Sequence, residues 1–143
     1  MRRVDYVDMA AQFAADRDTL MAIAQRVFAG GMWVGGGDVE AFEAALTAYT
    51  GAAHAVAISS GTDALILALK ALDIGRGDEV IVPPNSFISS VAAVVHVGAT
   101  PVFADVLDDQ NLDPSAVEAA LTERSRAGLP DGRDRRHRGS PRS

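Results

Sequence analysis

The chain has 143 residues, of which 48% are hydrophobic and 22% are charged, a balance that suits one folded domain rather than a disordered chain. It contains no cysteine, which excludes disulfides and thiolate metal sites, and its three histidines lack ligand spacing, so no metal site is expected. The net charge of −6 is uneven, because residues 1–123 carry six basic and 17 acidic side chains while residues 124–143 carry seven Arg and two Asp.

The apolar stretches of the chain do not predict a secretory signal or a membrane span. Asp5, Asp8 and Asp16 interrupt the segment that follows the first two arginines. Residues 80–104 have no formal charge, but three prolines and several polar side chains would be costly in a bilayer. A cytoplasmic location is therefore expected, with no membrane partner.

The first part of the chain predicts two helices. Apolar spacing indicates an amphipathic helix over residues 9–28, ended by the pair Gly30-Gly31. The stretch GGMWVGGG, residues 30–37, predicts a loop. Asp38 is expected to cap a second helix, VEAFEAALTAY, which Gly51 ends.

From residue 55 short apolar runs alternate with helical ones. AVAIS (55–59), EVIVP (79–83) and PVFAD (101–105) predict strands, and TDALILALKAL and SFISSVAAVVHV predict largely buried helices between them. A further helix begins at DPSAVEAALTE, with Asp113 as cap and Pro114 in the first turn. Fully apolar strands that alternate with helices predict an α/β fold of parallel strands with covering helices.

The last twenty residues, RSRAGLPDGRDRRHRGSPRS, have no periodicity. They predict an Arg-rich disordered tail, 124–143, that supplies no strand. A basic arm for nucleic acid is the alternative. The tail has no aromatic residue and the rest of the chain is acidic, so no nucleic-acid partner is expected.

The turn Ser59-Ser60-Gly61-Thr62 lies between a predicted strand and a predicted helix. The free amides of a first helical turn, together with the helix dipole, would form an anion site there. Gly61 would let the backbone approach a ligand closely, and Thr62 would add a hydroxyl. An ordinary helix cap explains the same residues. The dinucleotide and P-loop fingerprints are absent, so the turn favours at most a single phosphate.

Four blocks, GMWVGGG, SSGTDAL, GDEVIVP and GATPVF, make the chain resemble the N-terminal part of the DegT/DnrJ/EryC1/StrS aminotransferases. These are pyridoxal-phosphate enzymes of fold type I that transaminate nucleotide-linked keto-sugars. The resemblance covers roughly two thirds of the chain. It implies an incomplete sheet of a fold type I large domain over residues 31–123, between an N-terminal helix (1–30) and the tail (124–143).

The resemblance implies pyridoxal 5'-phosphate as cofactor and a nucleotide-sugar as substrate. The backbone at Thr62 and Asp63 would hold the cofactor phosphate, with the Asp63 side chain turned away, and Phe87 would stack on the pyridine ring. Trp33 and Gly35 match a loop near the substrate. The implied cofactor-binding residues are thus Gly61, Thr62, Asp63 and Phe87. From the residues alone, an aromatic residue such as Phe87 at a helix start is more often a core residue, and Trp33 is an anchor of its own loop.

Transamination needs a lysine that joins the cofactor and moves a proton at the substrate carbon. Lys70 is the only lysine, and a rise of ~1.5 Å per residue places its backbone roughly 13 Å along the helix from Gly61. It is therefore expected to reach solvent, and no catalytic residue is assigned. The resemblance implies that the catalytic lysine comes later in the chain, where this sequence instead reads GLPDGRDRRHRGSPRS.

These observations favour the hypothesis of an N-terminal aminotransferase fragment, ended by a frameshift or truncation and inactive by itself. A different class is a non-catalytic binding or regulatory module that pairs with a full-length homologue, because the resemblance implies active sites at a homodimer interface. A third is a small phosphate-binding α/β domain complete in itself, which an uncovered sheet edge disfavours.

Overall fold

The computed structural model describes residues 7–129. The described residues form two compact units, which divide between Ala57 and Ile58. No helix within residues 7–129 combines the length and apolarity that a membrane crossing demands. The elements in chain order are α1 (Met9–Gly30), α2 (Gly37–Thr50), α3 (Gly61–Ala71), β1 (Glu79–Val82), α4 (Ile88–His96), β2 (Thr100–Phe103), α5 (Pro114–Ala120) and β3 (Ser125–Gly128).

The first unit contains α1 and α2, both at the predicted places. Helix α1 starts at Asp8, whose carboxylate accepts a hydrogen bond from the Ala11 amide at 2.9 Å. The prediction that Asp38 caps α2 is wrong. Gly36, with φ of +81°, starts the helix earlier because glycine adopts this conformation freely. Asp38 lies instead in the first turn and pairs with Arg26 at 3.0 and 3.1 Å.

The second unit is built on a parallel three-stranded sheet with strand order β2-β1-β3. The predicted α/β class with parallel strands is confirmed. All four residues of the central strand β1 are buried, so helices must cover both of its faces. Val80 and Val82 pack with Leu69 of α3 and Val94 of α4. Ile81, between them in sequence, lines a cleft with Val117 of α5 and residues of β3.

The predicted strand AVAIS is wrong, because residues 55–59 have no regular secondary structure. A strand is stabilised mainly by its neighbours, through ladder hydrogen bonds and cross-strand packing. The three-stranded sheet does not include this segment, and Val56 remains 77% exposed. The Ala57 amide donates instead to the carboxylate of Glu43 in α2, at 2.7 Å.

The expectation that the tail supplies no strand is also wrong, since β3 lies at residues 125–128. Hydrogen bonds with the backbone of β1 hold this segment in a strand. The Glu79 amide donates to the Arg124 carbonyl at 2.8 Å, and the Leu129 amide donates to the Ile81 carbonyl at 2.9 Å. Ala127 and Leu129 pack against the core. Residues 130–143, the rest of the predicted tail, lie outside the described residues.

The two helices expected to be largely buried are buried along one face only. Leu69 is the one buried residue of α3, while Leu67 is half exposed. Helix α4 buries Ala93 and Val94. Three strands of four residues offer too little sheet to cover a helix that is apolar on all sides.

Candidate phosphate and cofactor site

The turn before α3 is a capped helix start. Ser60 is the cap, in an extended conformation, and its Oγ accepts a hydrogen bond from the Asp63 amide at 3.1 Å. The first helical bond joins the Ala64 amide to the Ser60 carbonyl at 3.0 Å. A helix offers no internal acceptor to its first amides, so the Gly61 and Thr62 amides face out of the helix end. The arrangement is an ordinary cap that still leaves two donors for an anion.

The Asp63 side chain does not turn away from this helix end. Its carboxylate accepts hydrogen bonds from the hydroxyls of Ser59 and Ser60, the latter at 2.9 Å. The bond from Ser59, followed by that from Ser60, lowers the pKa of Asp63 below its usual value, and the charge of His96 adds to this effect. Both serine hydroxyls are therefore engaged by an anionic group of the chain itself.

The backbone conformation and the free space at Gly61 indicate whether a phosphate fits at this helix end. Its φ lies outside the left-handed region, and a Cβ added to it would meet no atom within 4 Å. Neither backbone strain nor packing within the described chain therefore requires glycine here. A ligand that approaches the backbone would require it. The residues present fit a phosphate group.

Phe87 lies at the start of α4, which packs on the same face of β1 as α3. It is the N-cap of α4, and its side chain is 67% exposed. The interpretation of Phe87 as a core residue therefore fails for this chain. The chain reaches it from the carboxyl end of β1, where parallel sheets usually bind ligands. An exposed aromatic ring here is available to stack on a flat ligand.

A side-chain contact joins the segment before Phe87 to a distant loop. Asn85 Nδ2 donates to Gln110 Oε1 at 2.6 Å. Gln110 has a φ of +71°, which is uncommon for residues other than glycine. Asn85 Oδ1 is buried and accepts no hydrogen bond from the residues that the structure describes. Sequence reasoning missed this contact because nothing in the local pattern pairs positions 85 and 110.

The two residues predicted to lie near the substrate belong to the first unit. Trp33 is 68% exposed, its Nε1 donates to the Phe28 carbonyl at 3.4 Å, and its ring meets the Phe28 ring edge-on at 5.7 Å. Gly35 has a φ of +68°. These contacts make Trp33 an anchor of its loop. Its role and that of Gly35 at a substrate stay predictions.

Lys70 has an exposed side chain in the last turn of α3, as expected. Residues 7–129 contain no group of three or more His, Asp or Glu side chains that could hold a metal ion. The remaining implied residues divide by element, with Gly61, Thr62 and Asp63 on the first turn of α3 and Phe87 at the start of α4. The paired cap of Ser60 and Asp63 follows the S-x-x-D spacing, which could have revealed it from sequence.

Comparison with known proteins identifies the family. The sequence model of the DegT/DnrJ/EryC1/StrS aminotransferase family matches residues 15–130. The chain belongs to this family. Among curated members it is 44% identical over 129 residues to a UDP-N-acetyl-3-dehydro-alpha-D-glucosamine 3-aminotransferase of Acidithiobacillus ferrooxidans, an alignment that covers 89% of the chain and 35% of that protein. It is 46% identical to a dTDP-3-amino-3,4,6-trideoxy-alpha-D-glucose transaminase of Streptomyces venezuelae, covering 90% and 34%.

Solved structures of the family have the same fold. DesV of S. venezuelae, in complex with a ketimine intermediate, matches with a TM-score of 0.86 and 45% identity over 91% of this chain and 35% of that one. A family member from Brucella abortus matches with a TM-score of 0.83 and 35% identity, covering 90% and 36%. The chain thus has part of the fold of pyridoxal-phosphate aminotransferases, and it spans about a third of the length of these relatives.

Proposed function

We propose that this chain supplies the phosphate-binding part of the cofactor site of a pyridoxal-phosphate aminotransferase that acts on nucleotide-linked keto-sugars. The observation that carries the proposal is the open first turn of α3, where the helix offers no internal acceptor to the Gly61 and Thr62 amides. The relatives named above aminate UDP- or dTDP-linked sugars. A structure of NtdA from Bacillus subtilis with bound cofactor PMP, also similar to this chain, supports the cofactor.

In this proposal each residue binds or orients the cofactor. The amides of Gly61 and Thr62 donate to the phosphate, and Phe87 stacks on the pyridine ring. The Asp63 amide joins them once it leaves Ser60 Oγ, its present acceptor. When bound, pyridoxal phosphate supplies an electron sink for the substrate carbon. Trp33 and Gly35 stay candidate substrate-binding residues, as the resemblance to the family implies.

A binding measurement tests the cofactor site. Pyridoxal 5'-phosphate, pyridoxal and inorganic phosphate are titrated into the full chain by calorimetry. Because the site binds through the phosphate, pyridoxal 5'-phosphate should bind, inorganic phosphate should compete with it, and pyridoxal should bind more weakly than either. Equal binding of pyridoxal and its phosphate would contradict the site, as would no binding of either phosphate.

We further propose that the 143-residue chain does not catalyse transamination by itself, because its single lysine, Lys70, reaches solvent at the far end of α3. Borohydride reduction in the presence of pyridoxal 5'-phosphate, followed by peptide mass spectrometry, should give no stoichiometric adduct at Lys70. An adduct that saturates at one per chain, and that Lys70→Arg abolishes, would contradict this.

A second candidate function is a non-catalytic module that pairs with a full-length homologue. One observation favours it: neither α1 nor α2 contains a buried residue, although α1 carries large apolar side chains such as Phe13 and Phe28. A partner chain would cover them. Co-purification of the chain with a tagged full-length family member tests whether the two chains pair. Analytical ultracentrifugation measures the complex. Replacing Phe13 and Phe28 by serine should weaken the complex.

A further inference from the structure

The segment between β1 and α4 is held firmly, yet it presents an exposed ring. Pro83 is fully buried, and Ser86 Oγ lies 2.9 Å from Ser90 Oγ. Between them, the Asn85 side chain is tied to Gln110. Phe87 follows directly, with most of its surface free. The contacts therefore restrain the backbone that determines where the Phe87 ring points.

Two unfavourable local features meet at the contact of Asn85 with Gln110. Gln110 adopts a left-handed φ, which costs conformational free energy for a residue with a Cβ. Asn85 Oδ1 is buried without a donor among the described residues, which costs its desolvation. In residues 7–129 the other non-glycine residue with positive φ is Asp73, just past the C-cap of α3, where this conformation is common. Such costs concentrate at ligand sites.

The loop that carries Gln110 does not need the Gln110 side chain to close. The Leu107 amide donates to the Asn111 carbonyl at 2.8 Å, and the Gln110 amide donates to the Leu107 carbonyl at 2.8 Å. Val106 and Leu112 form an antiparallel bridge at its base. Backbone hydrogen bonds thus close the loop without the Gln110 side chain. The contact between the two side chains therefore serves to restrain Asn85.

We propose that Gln110, through Asn85, positions Phe87 to stack on the pyridine ring of the cofactor. The inference rests on the proposed function. Gln110 and Asn85 are positioning residues, because neither has to touch the cofactor. The amide hydrogen bond restrains the chain two residues before Phe87, so the ring is oriented before the cofactor arrives. Pre-orientation lowers the entropy cost of stacking.

The test measures the affinity for pyridoxal 5'-phosphate and for inorganic phosphate, in variants of Gln110 and of a control position. Gln110→Gly removes the amide while glycine accepts the left-handed φ, so the variant should fold. Its affinity for pyridoxal 5'-phosphate should fall about two- to tenfold, the range that corresponds to loss of an aromatic stacking contact. Its affinity for inorganic phosphate, which has no ring to stack, should not change. In a Phe87→Leu background, Gln110→Gly should have no further effect on either probe.

Asp73→Gly is the matched control, because it also replaces a left-handed residue by glycine on a different loop. It should leave both affinities unchanged. Equal losses for both probes, no loss for pyridoxal 5'-phosphate, or a loss that persists in the Phe87→Leu background would each overturn the inference. Absence of binding by the unmodified chain would contradict the proposed cofactor site instead.

If the unmodified chain does not bind the cofactor, a measurement that needs no ligand still tests the inference. Phe87→Trp is introduced into a chain that carries Trp33→Phe, so that one indole reports the ring at position 87. Gln110→Gly should increase the amplitude of fast depolarisation in its fluorescence anisotropy, whereas Asp73→Gly should not. Identical decays with and without Gln110 would overturn the inference.

Discussion

Ser60 and Asp63 form two hydrogen bonds with each other at the start of α3, both through the Ser60 hydroxyl. The Asp63 amide donates to Ser60 Oγ at 3.1 Å, and the same hydroxyl donates to the Asp63 carboxylate at 2.9 Å. A phosphate that enters this turn would compete with a carboxylate for the serine hydroxyls. The cap and the proposed phosphate site therefore share the same atoms, and variants of this turn should affect both stability and binding.

Ser60→Ala should destabilise the chain and weaken phosphate binding together. It removes the acceptor of the Asp63 amide, and loss of an N-cap costs ~0.5–2 kcal/mol of unfolding free energy. Urea unfolding measures the loss, and calorimetry with inorganic phosphate measures binding. Ser89→Ala, inside α4, is the control and should lower neither quantity. Unchanged stability of Ser60→Ala would contradict the capping role.

Gly61→Ala should separate stability from binding. A Cβ at this position meets no atom within 4 Å, so the free energy of unfolding should stay constant or rise by up to ~1 kcal/mol. Binding of pyridoxal 5'-phosphate should fall, because the methyl group would occupy the space next to the phosphate.

The contrasting variant is Gly36→Ala. Its Cβ would lie 2.6 Å from Met32 Cγ, at a φ of +81°, so it should lose stability. If Gly61→Ala binds pyridoxal 5'-phosphate as tightly as the unmodified chain, the glycine has no role in ligand approach.

The carboxylate of Glu79 should make the stability of the sheet depend on pH. Glu79 is buried at the start of β1, where the Thr122 hydroxyl donates to it at 2.5 Å and Arg124 pairs with it. The bond from Thr122, then that from Arg124, lowers the pKa of Glu79 below its usual value. A carboxyl group with a lowered pKa stabilises the fold above its ordinary pKa of ~4.3 and loses that contribution as the pH falls through the folded-state value.

Glu79→Gln should therefore be less stable than the unmodified chain at neutral pH, and the difference should shrink in acid. Urea unfolding from pH 7 downward measures it. Glu118→Gln, at an exposed glutamate of α5, should change the unfolding free energy by less than ~0.5 kcal/mol at neutral pH. A difference between Glu79→Gln and the unmodified chain that stays constant into strong acid would contradict the lowered pKa.

Two leucines of α3 should differ sharply in their contribution to stability. Leu69 is 1% exposed within the core, whereas Leu67 is 50% exposed. Leu69→Ala leaves a cavity and should cost ~2–5 kcal/mol of unfolding free energy. Leu67→Ala should cost ~1 kcal/mol or less. Urea unfolding of the two variants checks this, and equal costs would show that α3 packs differently.

The helices and the strands β1 and β2 could be predicted because their signals are local. Asp113 and Pro114 mark the start of α5, as expected, and the apolar run at residues 79–83 contains β1. At the candidate site the turn before α3 was predicted, but the direction of the Asp63 side chain was not. The prediction overlooked that Ser60 stands three residues before Asp63, which is the spacing of a reciprocal cap.

The sequence by itself determined the α/β class, the parallel direction of the strands and the presence of a turn before α3, since these depend on residues that are neighbours along the chain. Only the tertiary structure decided which segments became strands. AVAIS is apolar but belongs to no ladder, whereas the polar segment at Ser125 became a strand because β1 offered it hydrogen bonds. The contact of Asn85 with Gln110 was decided in the same way, because its partners lie 25 residues apart. Strand pairing and such contacts need a partner distant in sequence, and no local pattern names that partner.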